Sequence, residues 1–154
     1  MLNVKKTKAV RIMVFGTFDG LHPGHLNFFK QARALKALAL GQARNLTLRS
    51  FLIVSIARDK NAKKIKKTKP TRTEQERFKL VQQSRLADRV VLGGLRNHIP
   101  HIVEEQPDII ALGYDQRAYV AKLQKELKKK GLSVQIRRLQ PYKEKIYKNR
   151  LLNR

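Results

Sequence analysis

Runs of apolar residues alternate with stretches of helical periodicity along almost the whole chain. Ala9 to Phe15 is rich in β-branched and large apolar residues and stops at Gly16, which predicts a first strand. Pro23 to Leu40 follows with Leu26, Phe29, Leu35 and Leu38 at near-helical spacing, and Gly41 marks its end. Ser50 to Ala57 is a continuous apolar run, the pattern of a strand covered on both faces. Thr73 with Glu76 three residues on forms a capping box that opens a helix to about Ser84. Asp88 to Leu92 is then a strand, Pro100 to Glu105 a short helix and Asp108 to Leu112 another strand. Arg117 to Lys130 is helical with Gly131 as its stop, and Leu132 to Leu139 completes a set of five strands.

Such alternation predicts an α/β fold: a Rossmann-like single domain with a five-stranded, mainly parallel sheet and helices on both faces. Ligands of these sheets bind beyond the carboxyl ends of the strands. Three strand ends carry polar residues suited to that: Thr17 to His25, Arg58-Asp59-Lys60, and Gly113-Tyr114-Asp115-Gln116. The lysine-rich stretch Lys60 to Lys69 is expected as a mobile loop. Residues 1–8 form a basic N-terminal tail and 143–154 a basic C-terminal segment.

Composition narrows the chemistry. The 154 residues suffice for one core and contain no cysteine, which excludes disulfides, thiolate metal sites and cysteine nucleophiles and suits a reducing cytoplasm. No apolar run approaches the roughly 18 residues of a membrane span. Lysine and arginine number 35 against 11 acidic residues, a formal charge of +24. That balance attracts polyanions, whether nucleotides, nucleic acid or anionic surfaces, without choosing among them.

The chemistry-bearing segment is Gly16-Thr17-Phe18-Asp19-Gly20-Leu21-His22-Pro23-Gly24-His25, at the handover from first strand to first helix. Pro23 suits the first helical turn. Gly24 lets a phosphate approach the backbone closely, and the helix N-terminus offers unbonded N–H groups and partial positive charge. Two imidazoles three residues apart share one face of that turn and can donate to the same phosphate oxygens. Transfer at an α-phosphate needs donors of this kind, aimed at charge growing on the equatorial oxygens. No third ligand stands near the pair to make a zinc site. His98 and His101 are expected to be a helix cap and a surface residue, and Phe28 and Phe29 to belong to the core.

The segment resembles the histidine signature of the cytidylyltransferase-like nucleotidyltransferase superfamily. Within it the chain is most similar to the group of archaeal-type FAD synthases, followed by glycerol-3-phosphate cytidylyltransferases. Ala57-Arg58-Asp59, Glu76-Arg77, Ala87 to Gly93 and Pro107 to Gln116 carry that likeness. The resemblance implies a Rossmann-like fold and transfer of a nucleoside monophosphate from a triphosphate to a phosphate-bearing acceptor. It also implies release of pyrophosphate, magnesium arriving with the triphosphate, and a homodimer. It implies that His22 and His25 contact the triphosphate in the transition state, and that Gly16, Thr17, Phe18, Gly24 and Gly113 line the nucleotide. Lys63 or Lys64 would reach phosphates, Asp115 would face the nucleoside and Arg85 the acceptor, with Asp19 and Asp59 as weaker candidates for the site or for structural roles. The Arg-Thr-rich nucleotide-gripping motif of the cytidylyltransferases is missing, with Asn149 where a hydroxyl residue is expected. Donor base and acceptor therefore stay open between ATP with FMN and CTP with a polyol phosphate. The charge leaves one reading from another class: a nucleic-acid-associated protein that keeps the fold without catalysis.

Overall fold

In a computed structural model, which describes residues 9–38, 49–66, 70–95, 97–113 and 120–141, the apolar runs are strands of one sheet. They are β1 (Ala9–Gly16), β2 (Arg49–Ile56), β3 (Arg89–Leu92), β4 (Ile109–Leu112) and β5 (Gln135–Arg138), arranged in the order β3-β2-β1-β4-β5. Every neighbouring pair is parallel, so the sheet is wholly parallel. Its helices are α1 (Pro23–Ala34), α2 (Asp59–Lys66), α3 (Glu74–Ser84), α4 (His98–Glu105) and α5 (Val120–Lys129).

Helices cover both faces, as the double-sided burial of the strands requires. Val10, Ile12 and Val14 of β1 point to one face and pack with Phe29 and Ala32 of α1 and Val81 of α3. Met13, Ile53 and Ile110 point to the other, against Ile99 and Ile102 of α4 and Leu127 of α5. The period of two along β1 thus feeds two separate cores.

Local signals and structure differ at several boundaries. The first helix ends at Ala34 and continues only as a 3-10 turn over Leu35–Leu38, although the leucine spacing runs on. Leu35 still packs against the core while Leu38 is exposed. The last strand is Gln135–Arg138, shorter than Leu132 to Leu139, because Leu132 and Val134 fill the α5 side of the core before pairing starts. The lysine-rich stretch expected as a loop is helical from Asp59 to Lys66. Ala62 is its buried anchor, too little apolar surface to show as periodicity. Residues 1–8, 39–48, 67–69, 96, 114–119 and 142–154 lie outside the described residues, and with them Gly41, Asp115, both basic termini and Asn149.

His98 and His101 are neither cap nor surface. Asn97 caps α4, its Oδ1 accepting from the Ile99 N–H at 3.0 Å. His98 is half-buried against Phe15, ring centroids 6.0 Å apart, and His101 Nε2 lies 2.9 Å from Ser55 Oγ. Ser55 is 2% exposed on β2, so this serine–histidine contact is a core hydrogen bond with no room for a substrate. Burial pushes His98 below its ordinary pKa. It does the same to His101, partly opposed by the Glu105 carboxylate.

The unfolded chain takes up these protons near about pH 6.5 while the fold resists them. Their contribution to stability is therefore complete above that pH and is lost as pH falls below it. The melting temperature should drop between about pH 7.5 and about pH 5.5. Replacing His98→Leu together with His101→Gln should flatten that drop, which differential scanning calorimetry would measure.

Candidate active site

The strand order reverses direction between β1 and β4, and the crevice beyond their carboxyl ends is where such sheets hold ligands. Val14 of β1 faces Ala111 of β4, and continuing that register sets Gly16 level with Gly113. The neighbouring strand ends are stitched together, Ala57 N–H to Gly16 O at 2.9 Å and Gly93 N–H to Ile56 O at 2.7 Å. One edge thus presents the ends of β1, β2, β3 and β4.

From that edge the chain turns through Thr17 to Leu21 into α1. Phe18 holds a left-handed backbone, φ 52°, which costs a bulky residue about 1–2 kcal/mol. Its ring goes inward, 5.4 Å from Phe29 and edge-on to His25 at 5.3 Å, and is 4% exposed. Gly16 is required by the same ring: a Cβ there would lie 2.7 Å from it. Phe18 therefore acts in the corner as a buried wedge under His25, and the loop meets a ligand through its backbone.

His22 is the N-cap of α1, a position usually held by serine, threonine, aspartate or asparagine. Its Nδ1 accepts the Gly24 N–H at 3.0 Å, and His25 Nδ1 accepts the His22 N–H at 3.4 Å, a capping box made of two imidazoles. Both Nδ1 atoms act as acceptors, so in each neutral ring the hydrogen bonding assigns the proton to Nε2. The rings stack with centroids 3.8 Å apart and 26° between their planes. Gly24 serves this stack: a Cβ would come within 2.7 Å of the His22 ring, which is the tight constraint at that position. The first turn of α1 contains no acid, so its dipole is open to an anion.

Cations and acids surrounding the corner are mostly occupied in holding it. Asp19 accepts the N–H groups of Thr71 and Arg72, each at 2.8 Å. Burial works against its charge, but those two N–H bonds outweigh it and hold the carboxyl below its ordinary pKa. Arg72 returns a guanidinium bond to the Asp19 carbonyl and lies over Gly20. Arg77, fully buried, donates to the carbonyls of Thr17 (2.9 Å) and Arg72 (3.2 Å) and to Asp59 Oδ1 (2.7 Å). Glu74 receives Arg58 Nε at 3.0 Å and the Asp59 N–H at 2.8 Å, tying the end of β2 to the start of α3.

The structure brings together Gly16, Thr17, Phe18, Gly24, His22, His25 and Gly113 at this edge. Lys63 and Lys64 sit on α2, which starts from the end of β2 on the same side. Arg85 is not brought there. It is exposed at the left-handed C-cap of α3 (φ 61°), three residues before Asp88 pairs with Leu52 on the amino-terminal side of the sheet. Arg58 and Arg72 stand at the carboxyl edge instead. Arg77 and Arg72 carried no local signal for these roles, since each bonds to residues more than 50 positions away.

This fold and corner define a nucleotidyltransferase, and the comparisons agree. The cytidylyltransferase-like family model matches residues 13–150, and the chain belongs to that family. It is 37% identical over 135 residues to the FAD synthase of Archaeoglobus profundus, covering 88% of this chain and 77% of that one. It is 43% identical over 129 residues to the FAD synthase of Korarchaeum cryptofilum, covering 84% and 80%. The crystal structure of a lipopolysaccharide core biosynthesis protein from Thermoplasma volcanium superposes with TM-score 0.73 at 32% identity, covering 88% of this chain and 99% of that one.

Two substitutions test the corner. Gly24→Ala should displace the His22 ring, costing about 1–3 kcal/mol of overpacking and lowering turnover about tenfold while circular dichroism stays unchanged. Arg77→Met should cost about 1–3 kcal/mol for the Thr17 carbonyl left without its donor. Denaturant unfolding would show this, and Arg77→Lys should restore little, because one ammonium cannot span three partners.

Proposed function

We propose that this protein is an FAD synthase: a phosphate oxygen of FMN attacks the α-phosphorus of ATP in line, the bond to the bridging oxygen of the β-phosphate breaks, and FAD and pyrophosphate result. The observation that carries the reading is the imidazole capping box. With both Nδ1 atoms accepting within the cap, His22 and His25 have Nε2–H as their donors to the α-phosphate. Stacked at 3.8 Å, the rings approach one group together. Donors of this kind, set before the reaction, stabilise charge that grows in the transition state. The relatives named as FAD synthases supply the choice of ATP and FMN.

Gly16, Thr17, Phe18, Gly24 and Gly113 would line the nucleotide through backbone groups, with Lys63, Lys64 and Asp115 completing the nucleotide side. The α-phosphate transfer needs no protein nucleophile, since the acceptor brings its own oxygen. Among the described residues no three histidine or carboxylate groups lie close enough to hold a metal ion. Magnesium would be carried by the triphosphate and neutralise the leaving pyrophosphate. No helix among the described residues is long and apolar enough to cross a membrane, and the lack of cysteine suits a cytoplasmic enzyme.

Incubation with FMN, ATP and magnesium should yield FAD and pyrophosphate in equal amounts, and His25→Ala should slow this by about 10²–10³. No FAD, alongside turnover of CTP with glycerol 3-phosphate, would overturn the assignment. An unchanged rate in the variant would remove His25 from the chemistry.

A further inference from the structure

The formal charge of +24 exceeds anything the nucleotide corner uses. The acids show where it is left uncompensated. Asp19, Asp59, Glu74 and Glu76 accept hydrogen bonds that fasten the phosphate corner and the start of α3. Asp88, Glu105 and Asp108 do the same at the amino ends of the strands, through Arg33, Arg89 and the Arg11 N–H. Only Glu104 and Glu126 remain among the described acids, so most of the negative charge is turned to internal structure and the outer surface is left cationic.

On α5 that excess is regularly spaced. Lys122, Lys125 and Lys129 recur at i, i+3 and i+7 and share one face of the helix, while Leu123 and Leu127 on the other pack into the core. All three lysines are exposed, as are Lys128 and Lys130 beside them. Glu126 is the sole acid of the helix, and among the described residues no ion pair joins it to any of these lysines. The helix lies on the sheet face opposite α1 and its histidines.

We infer that the α5 lysine stripe is a binding surface for the phosphodiester backbone of a nucleic acid. From Lys122 to Lys129 the helix advances about 10 Å. A nucleic-acid strand rises about 3.4 Å per phosphate, so the stripe spans about three phosphates. An anionic bilayer is disfavoured by the lack of an apolar group to insert. The large exposed hydrophobic residues among those described are Leu26, Leu38 and Leu95, none of them on α5 or β5. The inference stands independently of the adenylyltransferase reading.

The test measures binding of the full chain to a short mixed-sequence single-stranded RNA as salt is varied, by fluorescence anisotropy. The triple variant Lys122→Gln, Lys125→Gln, Lys129→Gln should bind about tenfold or more weakly. Its log–log salt slope should be shallower by about 2, from three lost contacts at about 0.7 each. A control triple, Lys30→Gln, Arg49→Gln, Lys79→Gln, removes three other exposed cations and should change both far less. Unaltered melting temperatures would show that both variants fold. Equal losses in the two triples would overturn the inference, leaving only diffuse attraction. So would a lack of RNA binding at physiological salt, or tighter binding to anionic vesicles than to RNA.

Discussion

A single buried arginine holds the nucleotide corner in one piece. Arg77 has no exposed surface, yet its guanidinium reaches the loop after β1 at Thr17, the segment before α3 at Arg72 and the start of α2 at Asp59. Burying a cation is tolerated only when partners replace its water shell, and here two carbonyls and a carboxylate do so. Arginine suits the task because its planar fork offers several N–H groups in fixed directions. Asp19 works in parallel from the other side, clasping the N–H groups of Thr71 and Arg72. Together they fix the loop from which the histidine helix departs, so the placement of the reacting edge depends on contacts remote from it.

Within that frame the imidazoles combine two jobs. A serine or threonine cap would satisfy the helix N-terminus equally well. A histidine cap also directs the ring's remaining donor, because the nitrogen used for capping has to be an acceptor. Pairing it with a second histidine at the N3 position repeats the assignment and stacks the rings. Helix start, proton position and donor geometry thus follow from one local motif. The supports are a glycine that makes room for His22 and a phenylalanine wedged beneath His25.

The two faces of the sheet divide the remaining roles. On the α1 side nearly every acid near the site is bound to backbone or arginine, which keeps carboxylates away from an incoming triphosphate. On the α5 side Arg11 and Arg89 bind Glu105 of α4, while among the described residues no ion pair joins Glu126 to the α5 lysines. A net charge this high makes copies of the protein repel one another, and acids bonded within the fold do little to offset the surface lysines.

The alternation of apolar runs and helical spacing determined the five strands, their parallel arrangement and the position of the histidine motif at a strand-to-helix corner. Thr73 and Glu76 announced the start of α3, and His22 to His25 announced the site. All of these are relations between residues a few positions apart, which the periods of strand and helix make visible in a one-dimensional string. Tertiary structure alone decided what lies across long separations. It buried Arg77, turned Asp19 into a clasp, set Ser55 against His101, and left Arg85 at the amino-terminal end of the sheet, away from the histidines. It also decided that Gly16 and Gly24 make room for rings, and that the lysine-rich stretch after β2 forms a helix on the small anchor of Ala62. A hydrogen bond spanning 60 positions leaves no period in the sequence, because its geometry exists only once the strands between its partners have paired.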